Sequence, residues 1–212
     1  YKLKAPFDFS FLSRFGRVFK VYDDQDSGNI CFGIQSHQNR LFVKIAGAPA
    51  ERYDGTPEDA VVRLRAACRI YKDLSHPNLV RLIRAESCGG GLAAIFEWED
   101  AVCLGRMYPA SRAVFLRLPQ SDKLRIFEEI LSFHAHVAAC GYVAVDFYDG
   151  CILYDTEHRK TVLCDIDLYE KLPHTNRIGR MWGSTRFMSP EEHTLGAVID
   201  EVTNVYTMGA TA

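Results

Sequence analysis

Two aspartates stand where a carboxylate can do chemistry. Asp146 lies within Gly141-Tyr142-Val143-Ala144-Val145-Asp146-Phe147-Tyr148-Asp149-Gly150-Cys151-Ile152-Leu153, and Asp165 follows the strand-like run Thr161-Val162-Leu163-Cys164. A carboxylate can orient a hydroxyl and take its proton, or hold a hard cation such as Mg²⁺ through oxygen. A lone Asp after an apolar run is more often a turn or cap residue, and a lone Lys in a strand, such as Lys44 in Asn39-Arg40-Leu41-Phe42-Val43-Lys44-Ile45, is more often a solvated charge. What raises these residues above that reading is their order along the chain, completed downstream by Gly183-Ser184-Thr185-Arg186-Phe187-Met188-Ser189-Pro190-Glu191.

Position for position, that last segment resembles the G-T-x-x-Y-M-A-P-E end of a protein-kinase activation segment. Residues 141–153 resemble the catalytic loop H-R-D-L-x-x-x-N with its following strand, and Asp165-Ile166-Asp167 stands where the family places D-F-G. Residues 41–45 resemble the V-A-I-K strand, and Leu74-Ser75-His76-Pro77-Asn78-Leu79-Val80 resembles L-x-H-P-N-I-V. The chain is thus similar to the protein-kinase-like family, as a divergent, bacterial-type Ser/Thr protein kinase, over nearly its whole length from about residue 15.

The resemblance implies ATP and Mg²⁺ as cofactors and a protein as substrate or partner. Asp146 would orient the acceptor hydroxyl, Asp165 would bind Mg²⁺, and Lys44 would steady the α- and β-phosphates. It implies nucleotide contacts at Gly28, Ile30, Lys44 and the gatekeeper and hinge Phe96, Glu97 and Trp98. Ser184, Thr185 and Glu191 fall to the activation segment and its substrate side.

Several positions depart from the family. Of the glycine-rich lid only Gly28 remains, with Asp23 and Gln25 at the first two glycine positions. An exposed carboxylate about 4 Å from a phosphate costs on the order of 1 kcal/mol in water and about 4 where partly desolvated, which weakens nucleotide binding without excluding it. Ala67 occupies the place of the helix glutamate that pairs with the lysine. Ala144 and Val145 replace the histidine and arginine of the catalytic loop, and Phe42 replaces the small alanine beside Lys44. Cys151 replaces the asparagine of a second Mg²⁺ site, and a thiol is a poor ligand for that ion; Asp149 or Asp167 is the candidate oxygen donor instead. Asn204 stands for the aspartate of D-V-Y-S-L-G. Lys171, Arg177 and Arg180 are candidate contacts for an acidic partner, a solvated loop being the simpler reading.

The elements that must hold these residues are legible from periodicity. Phe15, Val18, Phe19, Val21 and Tyr22, a polar turn, and Ile30–Ile34 predict a hairpin feeding a third strand through Lys44. Residues 57–73 predict a helix, with Thr56 as N-cap and Pro57 in its first turn. Gly89-Gly90-Gly91 reads as a hairpin turn rather than a phosphate loop. Ser121–Ala139 predicts a helix leading into the catalytic loop, with His134 and His136 structural or solvent-facing. Gln35–Arg40 and Ser111–Gln120 read as loops or short elements.

Of the 212 residues, 48% are hydrophobic and 25% charged, enough for a substantial core in one or two lobes. A net charge of -2 without a dense basic run argues against nucleic acid or a membrane surface as main partners. Seven scattered cysteines without a C-x-x-C pair fit a reducing compartment, and no apolar run reaches about 18 residues, so a cytoplasmic location is expected. The expected fold is α+β and two-lobed. Residues 1–99 would form an N-lobe of antiparallel sheet plus one helix, and 100–212 a mainly helical C-lobe truncated after the start of its central helix. The chain starts at Tyr1 and stops in that helix, and so reads as a fragment. Two other classes compete with the protein kinase: a pseudokinase scaffold, favoured by the departures above, and a small-molecule kinase, which shares the aspartates but normally lacks a segment like 183–191.

Overall fold

Strand-length alternation in the first hundred residues becomes a five-stranded antiparallel sheet. A computed structural model of the protein describes residues 2–37 and 39–212, and the chain is mixed α+β, with four helices and antiparallel sheets among those residues. Contacts divide it into two units: one holds the chain up to Lys72 together with Arg81–Trp98, the other Asp73–Val80 with Glu99–Ala212.

In the first unit β1 (Arg17–Tyr22), β2 (Asn29–Gln35), β3 (Arg40–Ala46), β4 (Leu82–Cys88) and β5 (Gly91–Glu97) pair in the order β1-β2-β3-β5-β4. Because side chains alternate faces along a strand, Ile30, Phe32, Ile34, Val43, Ile45, Ala93 and Ile95 share one face. They form a buried cluster with Phe9, Leu12 and Phe15 from the N-terminal segment. At about 1.5–3 kcal/mol per fully buried large apolar side chain, this cluster fixes the register, since a one-residue slip would turn it to solvent. Gly89 and Gly90, at φ +51° and +85°, make the turn between β4 and β5 as the sequence predicts. The Gln35–Arg40 loop joins β2 to β3, and its residue Gln38 lies outside the described residues.

The predicted helix forms as α1 (Pro57–Asp73). Thr56 caps it: its Oγ1 accepts from the Asp59 N–H at 3.1 Å, and the Asp59 carboxylate accepts from the Thr56 N–H at 3.1 Å. Two orphan donors of the first turn are thereby satisfied. Ala60, Leu64, Ala67, Cys68, Ile70 and Tyr71 are its buried residues.

In the second unit β6 (Val102–Cys103), β8 (Ile152–Asp155) and β9 (Lys160–Leu163) form one sheet; β7 (Tyr142–Val143) pairs with β10 (Glu170–Lys171), and β11 (His174–Thr175) with β12 (Val198–Ile199). Three helices accompany them: α2 (Pro109–Leu116), α3 (Gln120–Ala139) and α4 (Glu201–Thr211). Ser111–Gln120, which the sequence suggests as a loop or short element, is mostly α2, opened by Pro109 at a position whose N–H needs no partner. The helix α3 buries Ile126, Ile130, Phe133, His134 and Val137. Among the described residues no helix is long and apolar enough to cross a membrane, and all seven cysteines are free thiols.

Candidate active site

The hairpin of β8 and β9 sets the site. Ile152 pairs with Leu163, so the residue entering β8 and the residue leaving β9 lie side by side, and the Cys164 N–H donates to the Cys151 carbonyl at 3.0 Å. The loop carrying Asp146 therefore ends where the segment carrying Asp165 begins. Beneath it, the Ala144 N–H donates to Asn204 Oδ1 of α4 at 2.9 Å, tying the loop to that helix.

Both aspartates occupy the left-handed region, Asp146 at φ 62° and Asp165 at φ 59°. Among the described non-glycine residues only Arg159, in the β8–β9 turn, joins them there. A left-handed L-residue is strained by about 1–2 kcal/mol, somewhat less for Asp, and persists where the surroundings dictate it, which is most often at functional sites. Asp165 is exposed and Asp146 half-buried, so both carboxylates are reachable from water.

Asp149 is different. Its side chain is buried and held by two guanidinium groups: Arg112 Nη1 of α2 lies 3.2 Å from Oδ2, and Arg186 Nη2 lies 3.2 Å from each carboxylate oxygen. With its oxygens so engaged, Asp149 does not serve as the oxygen donor considered for Mg²⁺. The reading from sequence missed this role because the two arginines are 37 residues away on either side.

Cys151 is fully buried, and burial, then the negative charges nearby beginning with Asp165, raise its thiol well above the ordinary value. It stays protonated, and a protonated thiol does not ligate Mg²⁺. Tyr148, also on the loop, has its phenol pushed up by burial first and then by the negative charges of Asp165 and Asp146. It remains a neutral hydrogen-bond donor close to both aspartates.

The segment 183–191 packs on this loop. A Cβ placed on Gly183, at φ +144°, would stand 3.2 Å from Met188 Cγ and 3.6 Å from Asp146 Cα, so a glycine allows the close approach. Met188 and Met181 join Val143, Val145 and Ile199 in an apolar cluster. Ser184 accepts the Phe187 N–H at 2.8 Å in a tight turn, and Thr185 accepts from Arg180 Nη2 at 3.1 Å. Glu191 accepts from Thr203 Oγ1 of α4 at 2.7 Å. Its neighbour Glu192, which the sequence did not single out, is buried and closes a capping box with Ser189; burial raises its carboxyl. Asn176, fully buried, donates to the carbonyls of Gly179, Glu191 and Glu192 and accepts from the Ile178 N–H at 3.1 Å. An Asn in a polar loop gives no signal of such a role until the segment is folded.

In the first unit Lys44 is 6% exposed and pairs across the sheet with Cys31. Cys31, Phe42 and Phe96 share its face. Ile30, expected among the nucleotide contacts, is on the opposite face, at 0% exposure in the apolar cluster; the strand register puts Cys31 there instead, one residue on. Gly28, at φ +80°, leaves no room for a side chain, because a Cβ would lie 2.7 Å from the Tyr53 ring and 2.9 Å from Ala60. Phe96 is buried with its ring 4.8 Å from Tyr71 and 6.3 Å from Phe42. Glu97 pairs with Arg81, and Trp98 packs edge-on to Phe19 at 4.9 Å. Ala67, at the place of the family's glutamate, is buried.

His134, on α3, is 4% exposed. Its Nδ1 lies 2.8 Å from the Ile130 carbonyl, which can only accept, so that nitrogen carries the proton and Nε2 accepts from the Tyr169 hydroxyl at 2.9 Å. Burial lowers its pKa to about 4, in keeping with a structural rather than a ligand role. His136 stacks 5.3 Å from His76. No family model matches the chain, and no curated protein matches it.

Proposed function

We propose that the protein is an ATP-dependent phosphotransferase, a divergent Ser/Thr protein kinase of kinase-like two-lobed fold that moves the γ-phosphate of Mg-ATP to a protein hydroxyl. The observation that carries this reading is the pair Asp146 and Asp165. Both are held left-handed, Asp146 in the loop that leads into β8 and Asp165 two residues after β9, with Gly183 of the downstream segment against Asp146. Two carboxylates presented by strained, over-determined backbone are what positioning of a nucleophile and a metal requires.

Asp146 orients the acceptor hydroxyl and accepts its proton as the oxygen attacks the γ-phosphorus and the bond to the β,γ-bridging oxygen breaks, releasing ADP. Tyr148, on the same loop, keeps a neutral hydroxyl in the field of these carboxylates. Lys44 supplies the cation for the α- and β-phosphates, and the Asn204 bond to the Ala144 N–H holds the loop in place. Mg²⁺ fits the hard oxygens of Asp165, and it commonly takes one or two protein carboxylates with the remaining positions filled by phosphate and water. When bound it neutralises charge on the transferred group. Two of the candidate ligands for a second Mg²⁺ are lost, because Cys151 is a buried thiol and Asp149 is occupied by two arginines.

That same deficit favours a second reading, a pseudokinase scaffold that keeps the fold for partner binding. Calorimetric titration of the chain with ATP, with and without Mg²⁺, separates the two. Mg²⁺-dependent binding that is lost in Asp165→Ala supports the enzyme, and absence of binding by the wild type supports the scaffold.

A further inference from the structure

From Lys171 to Pro190 the chain carries Lys171, Arg177, Arg180 and Arg186 and no carboxylate, within a protein of net charge -2. Much of this charge is uncompensated. Lys171 lies 3.7 Å from Asp73, but among the described residues Arg180 bonds only to neutral oxygens, the carbonyls of Met181 at 3.4 Å and Gly183 at 3.1 Å and Thr185 Oγ1 at 3.1 Å. Arg186 and Arg112 share the single charge of Asp149. Arg177 is exposed and makes no ion pair among the described residues.

Arg177 also lines a cleft of about 210 Å³ whose apolar surface comes from Val145, Leu168, Ile178, Met181 and Trp182. Ile178 and Trp182 are 58% and 56% exposed, large for such side chains. Glu170, His174 and Thr175 complete the lining; Glu170 is the one carboxylate there, and its Oε2 lies 3.8 Å from His174 Nδ1. Val145, the chain neighbour of Asp146, contributes to the lining, so the loop that carries the candidate base forms part of the cleft wall.

We propose that this surface docks an acidic, hydroxyl-bearing segment of a protein substrate, placing one bulky apolar side chain in the cleft and carboxylates against Arg177 and Arg180. The inference rests on the phosphotransferase reading for its use of Asp146, and it adds the substrate class. Charge complementarity selects an acidic segment, and the apolar cleft selects a polypeptide over a nucleic-acid backbone, which needs a broad basic surface without such a cleft. Positive charge clustered in a chain that is otherwise acidic also raises the association rate of an acidic partner in low salt.

The test needs no nucleotide. Fluorescence anisotropy of the whole chain is measured with a labelled peptide carrying one Ser, one Leu and flanking Glu and Asp, and with its counterpart in which Gln and Asn replace the acids. The acidic peptide is expected to bind at least about tenfold tighter at 50 mM salt, with the margin shrinking as salt shortens the Debye length. Arg177→Glu should lower that affinity about tenfold with an unchanged circular dichroism spectrum; should it fail to fold, Arg177→Gln should lower it about threefold. Trp182→Ala should weaken both peptides alike. Equal binding of the two peptides, binding of neither, preference for an oligonucleotide, or indifference to Arg177 overturns the proposal. Mg-ATP binding without peptide discrimination would leave the phosphotransferase reading standing and sink only the docking surface, while peptide discrimination without Mg-ATP binding would do the reverse.

Discussion

Arg186 Nη2 lies 3.2 Å from both carboxylate oxygens of Asp149, and this pair fastens the segment 183–191 to the loop that carries Asp146. Arg112 completes the cluster from α2. Removing the buried carboxylate leaves two like charges facing each other without compensation, whereas removing one arginine leaves a pair.

Asp149→Asn should therefore destabilise the protein by about 2–3 kcal/mol, and Arg186→Gln by only about 1, because its guanidinium is partly exposed and screened. Urea unfolding of the two single variants and the double variant checks this. A coupling energy near zero between positions 149 and 186 would show that the contact does not hold the segment.

The left-handed aspartates predict a contrast between two small replacements. At φ near +60° a glycine is unstrained and an alanine is not, so Asp165→Gly should be about 1 kcal/mol more stable than Asp165→Ala, and the same order should hold at Asp146. Thermal or urea unfolding reads the difference, and on the proposed function both replacements should abolish phosphoryl transfer.

His134 gives a pH dependence whose sign follows from its shift. Its folded pKa is lowered from 6.5 to about 4, so between those values the unfolded chain binds a proton that the folded chain does not. The contribution is fully present above pH 6.5 and is lost as pH falls toward 4, at up to about 1.4 kcal/mol per pH unit and about 3 kcal/mol in all. Urea midpoints measured from pH 7 to pH 4 should drop more steeply for the wild type than for His134→Gln.

The cysteines should differ sharply in reactivity. Cys140 is exposed and Cys151 is fully buried with its thiol raised by burial, so iodoacetamide should modify Cys140 at least about a hundredfold faster in the folded chain. Mass-spectrometric mapping of alkylation against time reads both sites, and early modification of Cys151 would contradict the burial of the catalytic-loop candidate.

The cap of α1 is expected to contribute about 1 kcal/mol. Thr56→Ala removes the hydroxyl that accepts the Asp59 N–H, and unfolding of this variant should show a loss of that size.

How much of this was legible depends on whether the signal is local. The strands through Lys44, the Gly89-Gly90 turn, α1 with its cap and α3 follow from periodicity, capping and turn chemistry within a dozen residues of each other, and all of them form. The face of Ile30, given as a nucleotide contact by resemblance alone, was not legible, because the turn from Asp23 to Asn29 does not reveal where the pairing register of β2 begins. Asp149 looked like a spare oxygen donor because Arg112 and Arg186 are remote in sequence. Ser111–Gln120 read as a loop or short element, and the short helix α2 that covers most of it begins two residues earlier, at Pro109, where Pro in the first helical turn is favourable. Asn176 and Glu192 carry roles that exist only once the segment from 176 to 192 is folded on itself.

The central claim is that Asp146 serves a phosphoryl transfer. The most direct measurement is transfer of labelled γ-phosphate from Mg-ATP to a Ser-containing acidic peptide by the wild type and by Asp146→Asn, with ATP affinity measured alongside. The account predicts transfer by the wild type that falls by about 10²–10⁴-fold in the variant while ATP affinity is unchanged; no transfer by the wild type, or equal transfer by both, would contradict it.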